Sequence, residues 1–247
     1  MTLDSNQNKD MLTAEERVNL LLKEGFTIAC DETTVNPEDK LPDWFDEEKF
    51  KRGQKFFHDN IFAMFFAKFQ GLLSVLLVPT IIHTLKFTNM SSTQMTAYKR
   101  YMATVMHMYV WYTKDFRPGS DLWRSLVEVR SRHFCASNRA CKKDMNRISQ
   151  ADMALTQFGF MGFVLSRQKM IGIYYASREE LEGFVHVWKV VGHLLGIEDR
   201  FNICRESVDE TRQICNLLIE KVFAPKLDET GLDFKQMASA IIYYILA

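Results

Sequence analysis

Apolar residues recur at spacings of three and four along most of the chain, which is the pattern of amphipathic helices. Several of these runs follow a capping box, where Ser or Thr precedes Glu or Gln by three residues and each side chain satisfies a backbone N–H group of the other residue. Ser120 and Ser149 are predicted to cap two further helices, the second running through Phe163. No hairpin signal separates the helices, so the pattern predicts an all-α fold. The capping boxes are Thr13/Glu16, Ser91/Gln94, Ser177/Glu180 and Ser207/Glu210.

The polar stretch from Thr27 to Trp44 divides the chain into two predicted parts. Residues 1–44 are interpreted as a short N-terminal helix and a linker arm, and residues 45–247 as the main helical domain. The chain closes on the apolar run AIIYYILA without a helix C-cap. This abrupt end indicates a helix, and therefore a domain, that is shortened at its C-terminus.

Composition is that of a globular protein with a large apolar core. Hydrophobic residues make up 47% of the 247 residues and charged residues 25%. Lys plus Arg equals Asp plus Glu at 31 each, which gives no electrostatic reason to expect nucleic acid as a partner. Nineteen Phe and thirteen Met residues fit either a soft core or a core shaped around a flat apolar cofactor or ligand.

Cysteine usage indicates a reducing compartment, such as the cytoplasm, because the five cysteines are odd in number and show no CxxC spacing. The polar N-terminus, residues 1–10, gives no sign of a signal peptide. The apolar run from Phe56 to Ile82 is interrupted by Lys68 and Gln70 and contains Pro79. A charge in mid-membrane costs about 2.5–3.5 kcal/mol on insertion scales, so the run predicts a buried helix in preference to membrane contact.

His133 is one candidate ligand, because it lies on an apolar stripe of the helix that follows Ser120. Such a histidine is commonly a core residue with its hydrogen bonds satisfied. The functional alternative is that a neutral imidazole on a dry wall serves as the proximal ligand of a haem iron. Arg130, about one turn before it, needs an anion, which could be a haem propionate or an ordinary Asp or Glu. The stripe consists of Leu122, Leu126, Val129, His133 and Ala136.

A second stripe, on the helix that follows Ser91, carries Arg100, Thr104, His107 and Trp111. One interpretation is a solvated face. The other is a polar lining over a cofactor, where a cation and a hydroxyl group stabilise bound oxygen.

Other chemistries find little support in the sequence. His186 and His193 are seven residues apart, about 10 Å along a helix, which is too far to hold one metal ion. Metalloprotease, di-iron, GxSxG and P-loop patterns are missing. Chemistry by bare side chains is therefore not predicted.

Five segments, taken in order, resemble the catalytic domain of the rubber oxygenases, or latex-clearing proteins, a family that includes the fungal oxygenase of mycophenolic acid synthesis. The resemblance covers about Phe45 to Ala224. It is specific because all five segments occur in the same order as in the family. The segments are RGQKFFHDNIFAMFFA, KRYMATVMHM, PGSDLWRSLVEVRSRH, ISQADMALTQFGF and FVHVWKVVGHLLGIED.

The resemblance implies a globin-like helical core around one haem b, with His133 at the family's proximal position and Arg100 and Thr104 at the distal Arg and Thr. Family members cleave carbon–carbon double bonds of polyprenyl chains with dioxygen. Two features depart from the pattern. Ala103 stands where rubber oxygenases place a Lys able to cap the iron, and no residue aligns with their distal Glu, although His83 and Thr84 lie in that region.

The sequence thus predicts a haem b-dependent oxygenase that uses dioxygen on an apolar, isoprenoid-type small molecule. His133 would bind the iron, Arg130 and His107 would contact the cofactor, and Arg100 and Thr104 would be catalytic. The alternatives are a haem-binding or lipid-binding protein that has lost the chemistry, and a structural helical module.

Overall fold

A computed structural model describes residues 12–32, 40–88 and 94–246. The described residues form an all-α fold without strands, as predicted, and Ser91 of the pair Ser91/Gln94 lies outside them. The α-helices are α1 (Ala14–Leu20), α2 (Glu47–Asp59), α3 (Ile61–Val75), α4 (Pro79–Phe87), α5 (Gln94–Thr113), α6 (Asp121–Cys141), α7 (Gln150–Ser166), α8 (Arg178–Leu194), α9 (Val208–Leu218) and α10 (Leu232–Leu246).

Helix starts follow the predicted caps closely. Thr13 and Ser177 form complete capping boxes at the starts of α1 and α8. Ser120 caps α6 through the backbone N–H of Trp123. Ser207 caps α9 but is not part of a reciprocal box. Ser149 forms a box with Asp152, a pair that the Glu/Gln rule overlooks. The side-chain oxygens thus satisfy backbone donors that the first helical turn leaves open.

The core lies between α7 and α8, which are buried along nearly their whole lengths. A helix that is buried on nearly all sides needs other helices around it, and here α2 covers α8 while α3 and α9 cover α7. Glycines allow two of these contacts to be very close. A Cβ atom at Gly53 would lie 2.3 Å from the carbonyl oxygen of Gly183, and one at Gly71 would lie 1.8 Å from that of Gly159.

The apolar run from Phe56 to Ile82 was predicted to form one buried helix. In the structure it is divided among three helices. α2 ends at Asp59, and the axes of α3 and α4 meet at 92°. The bend falls just before Pro79, which begins α4 because its ring fixes φ and its missing N–H is not needed there. Across the described residues no single helix is long and apolar enough to cross a bilayer, although the bent pair α3–α4 meets the length and composition criteria.

The remaining helices build the half of the molecule that contains the candidate residues. α5 and α6 pack side by side, α10 packs on α5, and α4 contacts α6. The first helix, α1, packs on α9. An ion pair between Arg17 Nε and Glu210 Oε1, at 2.7 Å, holds the two helices together. The N-terminal helix is therefore in contact with the main domain.

Gly71→Ala tests whether the glycine contact holds α3 against α7. The added methyl group would overlap the Gly159 carbonyl, so we expect a loss of about 3 kcal/mol in the free energy of unfolding, at the upper end of ordinary overpacking. Urea denaturation followed by circular dichroism measures it. Gly231→Ala is the matched control, because a Cβ atom there meets nothing within 4 Å. Equal stability of the two variants would contradict this view of the α3–α7 contact.

Candidate functional site

A shared hydroxyl group joins the second half of α5 to the beginning of α6. Ser125 Oγ accepts a hydrogen bond from Trp111 Nε1 at 2.9 Å and lies 2.8 Å from His107 Nδ1. With the proton of His107 on Nε2, Ser125 donates to Nδ1 and all three groups are satisfied. Trp111 is buried and His107 half-buried, so the stripe that carries Arg100 is an interhelical face and not a solvated one.

Arg100 and His133 are brought together by this pairing, since α5 and α6 are antiparallel and each residue lies about two turns beyond the Ser125 contact. The Nδ1 atom of His133 is buried and has no hydrogen-bond partner. Burial, followed by the positive charge of Arg100, lowers the pKa of His133 to about 4. The imidazole is therefore neutral at physiological pH, with an unused nitrogen facing the interior.

Tyr101 adds a second unsatisfied polar group next to Arg100. Its hydroxyl oxygen is buried without a hydrogen-bond partner, and burial raises its pKa, so it remains a protonated donor. The guanidinium carbon of Arg100 lies 5.6 Å from the centre of the Tyr101 ring. Buried polar groups are nearly always hydrogen-bonded. The His133 Nδ1 atom and the Tyr101 hydroxyl group are not, and both lie near the Arg100 cation, so they mark a candidate ligand site.

The other predicted residues have partners in the structure. Thr104 donates from Oγ1 to the carbonyl oxygen of Arg100 at 3.1 Å, which leaves the lone pairs of its oxygen available to a ligand. Arg130 donates from Nη1 to the carbonyl oxygen of Leu194 at 3.1 Å, and its guanidinium lies over the Phe134 ring. The structure places Arg100 near His133 and Thr104 one turn after Arg100 on α5, while His107 is bound to Ser125 and Arg130 to the end of α8.

The region of α4 near this cluster lacks a carboxylate among its described side chains. Thr84 donates to the carbonyl oxygen of Thr80 at 3.0 Å, and His83 is exposed. Neither side chain is a carboxylate, so neither replaces the distal Glu that the family resemblance implies. Ala103, in turn, is half-buried on the same turn of α5 as Thr104.

His186 and His193 belong to a separate aromatic cluster. Both contact the Trp44 ring edge-on, at centroid distances of 6.0 and 5.5 Å, and the ammonium group of Lys189 lies 4.5 Å from the centre of that ring. His186 Nε2 accepts a hydrogen bond from the backbone N–H of Asp46. These histidines anchor the segment before α2 to α8. Within the described residues, no group of three His, Cys, Asp or Glu side chains is placed to hold a bare metal ion.

Two buried polar residues were missed by the sequence analysis. Tyr101 directly follows Arg100, but its orphaned hydroxyl depends on packing against α3, α4 and α10, which periodicity does not reveal. Lys68 was noticed only as an interruption of an apolar run, yet its side chain is 8% exposed and lies between α3, α5 and α7. The sequence did contain a signal for the buried amine, namely a charged residue within an otherwise apolar helical run.

The fold is that of an all-helical oxygenase domain. Residues 55–239 match the family model described as ER-bound oxygenase mpaB/B'/Rubber oxygenase, catalytic domain, so the chain belongs to this family of oxygenases. A rubber oxygenase of Streptomyces sp. (strain K30) is 31% identical over 83 residues, which are 34% of this chain and 19% of that protein. The chain therefore aligns with about a fifth of that relative's length.

A solved structure, of latex clearing protein LCP in the closed state, superposes on this chain with a TM-score of 0.65 and 16% sequence identity. The match covers 96% of this chain and 71% of that one. At this identity the likeness establishes the all-α fold, and the site must be argued from this chain's own residues.

The lowered pKa of His133 predicts a pH dependence of stability. Its folded-state pKa of about 4 lies below the ordinary 6.5, so the unfolded chain binds more protons between these values. The contribution is present above pH 6.5 and is lost as the pH falls towards 4, at most about 3 kcal/mol. Denaturant titrations from pH 7 to pH 4.5 should give a steeper loss for the wild type than for His133→Phe. Parallel pH profiles would contradict a buried neutral imidazole.

Proposed function

We propose that this chain is a haem b-dependent oxygenase that uses dioxygen on an apolar, isoprenoid-type small molecule. The observation that carries the proposal is the buried, unpartnered Nδ1 atom of a neutral His133, close to Arg100. Family membership supports oxygenase chemistry, and the cofactor and substrate are the finer parts of the proposal.

The residues present fit a haem. One protein imidazole suffices as axial ligand, and it must be neutral to offer a lone pair to iron. The orphaned nitrogen of His133 meets the requirement, because no described side chain competes for it. The half-buried Arg130, on the same side of α6, is proposed to pair with a propionate in addition to the Leu194 carbonyl, which would balance its charge in an apolar setting.

Haem iron, when bound, supplies the activation of dioxygen that side chains cannot. The chain's own residues would position the reacting oxygen and exclude water. Arg100 would supply a cation and Tyr101 a hydroxyl donor to stabilise negative charge, while the Thr104 hydroxyl group steadies the Arg100 turn by donating to its carbonyl oxygen. His107, held by Ser125, would contact the cofactor edge. Apolar side chains around the bound cofactor would keep water away, which would strengthen these interactions.

A second candidate function is a non-catalytic haem-binding or lipid-binding protein that keeps the fold. Ala103 favours it, because a methyl group can neither ligate iron nor transfer a proton. The described side chains of α4 also offer no carboxylate base. Consumption of dioxygen by the haem-loaded protein in the presence of a polyprenyl substrate separates the two functions.

His133→Ala tests the iron ligand. The variant should lose the Soret absorption band while keeping its helical circular dichroism, since only the ligand is removed. Added imidazole should restore part of the band by entering the space left by the side chain. His83→Ala, at an exposed position on α4, is the control and should bind haem as the wild type does. An unchanged haem spectrum in His133→Ala would sink the assignment.

Arg100→Ala tests the distal side. Hydrogen bonds to charged groups contribute about 1.5–3 kcal/mol. At about 1.4 kcal/mol per factor of ten, oxygen affinity or turnover should fall roughly 10- to 100-fold with haem still bound. Lys99→Ala, its exposed neighbour, should leave both unchanged. Full activity of haem-loaded Arg100→Ala would mean that Arg100 has no part in oxygen chemistry.

A further inference from the structure

A short segment near the N-terminus, residues 28–32, lies against α6, the helix that carries the proposed iron ligand. We call it the N-terminal strap. Main-chain hydrogen bonds tie it to the start of α7. The N–H of Cys30 donates to the carbonyl oxygen of Ile148 at 2.8 Å. The N–H of Gln150 donates to the carbonyl oxygen of Ile28, also at 2.8 Å. The strap precedes the residues that match the family model, so the family likeness assigns it no role.

Asp31 joins the strap to α6 through a buried hydrogen bond. Ser137 Oγ donates to Asp31 Oδ1 at 2.7 Å, and the two side chains are 0% and 3% exposed. Arg147 Nη2 lies 2.6 Å from Asp31 Oδ2 and balances the charge. Burial acts to raise the pKa of Asp31, but the hydrogen bonds from Arg147 and Ser137 outweigh burial and lower the pKa. The carboxylate is therefore a charged acceptor, and such a bond is costly to break in a buried place.

Two serine hydroxyl groups fix the rotation of α6 about its axis. Ser125 binds α5, and Ser137 binds the strap. At about 100° per residue, Ser137 lies about 120° around the helix axis from Ser125, and His133 lies between them at about 80°. The imidazole therefore projects between the two contacts. A rotation of α6 that loosens either contact would also turn the His133 side chain.

The strap lies on the same side of α6 as His133. Cys30 is fully buried and lies close enough to Arg130 to act on it electrostatically. Arg130 is three residues before His133, and Ser137 is four residues after it, so the strap contacts α6 on both flanks of the proposed ligand. Residues three and four apart share one face of a helix.

We infer that the N-terminal strap forms the proximal wall of the candidate site and that Asp31 is a positioning residue, which sets the direction of the His133 imidazole through Ser137. This inference rests on the proposed function, because that proposal makes His133 the haem ligand. Histidine ligands are oriented by contacts outside the metal's own ligand set, and losing such a contact typically weakens metal binding about 10- to 100-fold. Here the orienting contact acts through one turn of α6.

Transfer of haem to an excess of a scavenging apoglobin tests the role of Asp31. Asp31→Ala and Ser137→Ala should release haem about tenfold faster than the wild type, at the low end of that range. The iron–histidine stretching band of the ferrous protein, read by resonance Raman, should also move, because the imidazole is no longer held in one direction. Asp31→Asn keeps an acceptor oxygen for Ser137 and should restore most of the wild-type behaviour. Glu32→Ala, the control, removes the other partner of Arg147 and should match the wild type.

Amide hydrogen exchange in the haem-free protein separates the strap from the cofactor. Residues 133–141 should exchange faster in Asp31→Ala and Ser137→Ala but not in Glu32→Ala. Unchanged exchange would overturn the inference. Faster haem release with an unmoved iron–histidine band would also overturn it, since the strap would then only stabilise the fold. A wild type that binds no haem, together with faster exchange in both variants, would overturn the proposed function and with it the role of Asp31 towards haem, while the hold of the strap on α6 would stand.

Discussion

The candidate site depends on one buried hydroxyl group, that of Ser125, which binds both His107 and Trp111 across the α5–α6 interface. A polar network of this kind is satisfied in one register only, because sliding either helix by a turn would leave an indole N–H and an imidazole nitrogen without partners. That register sets Arg100 against His133. The charge of Arg100 then adds to burial in keeping the imidazole neutral, so the electrostatics of the site follow from the packing of two helices.

A second constraint places the rest of the molecule around this pair. The glycine contacts Gly53–Gly183 and Gly71–Gly159 bring α2 and α3 against the central helices more closely than any larger residue permits. Because α3 lies so near α7, Lys68 is enclosed between Phe160 and Met108, and the aromatic residues on the far side of α3 are left on the surface. The same compactness that builds the core thus encloses the Lys68 amine, while Phe62 and Phe66 of α3 stay exposed.

Much of this could be predicted from the sequence, because capping and helical periodicity are local. The caps at Thr13, Ser120 and Ser177 are where the pattern indicated, and the predicted apolar stripe of α6 is buried at Leu122, Leu126 and Ala136. The break of the apolar run at Asn60 and before Pro79 was not predicted, since hydrophobicity alone does not report a change of direction. The environments of Tyr101 and Lys68 were not predicted either, because they arise only from contacts between helices distant in sequence. The roles of Arg100, Thr104, His107, Arg130 and His133 towards a cofactor remain predictions.

We propose that the neutral His133, whose Nδ1 atom has no hydrogen-bond partner, is the ligand of a haem in this domain of the rubber oxygenase family. The most direct measurement is an absorption titration of the purified, haem-free chain with ferric haem, read at the Soret band. We expect a band that sharpens and saturates at about one haem per chain, as for one axial histidine site. A linear increase without saturation, with the spectrum of free haem throughout, would contradict it.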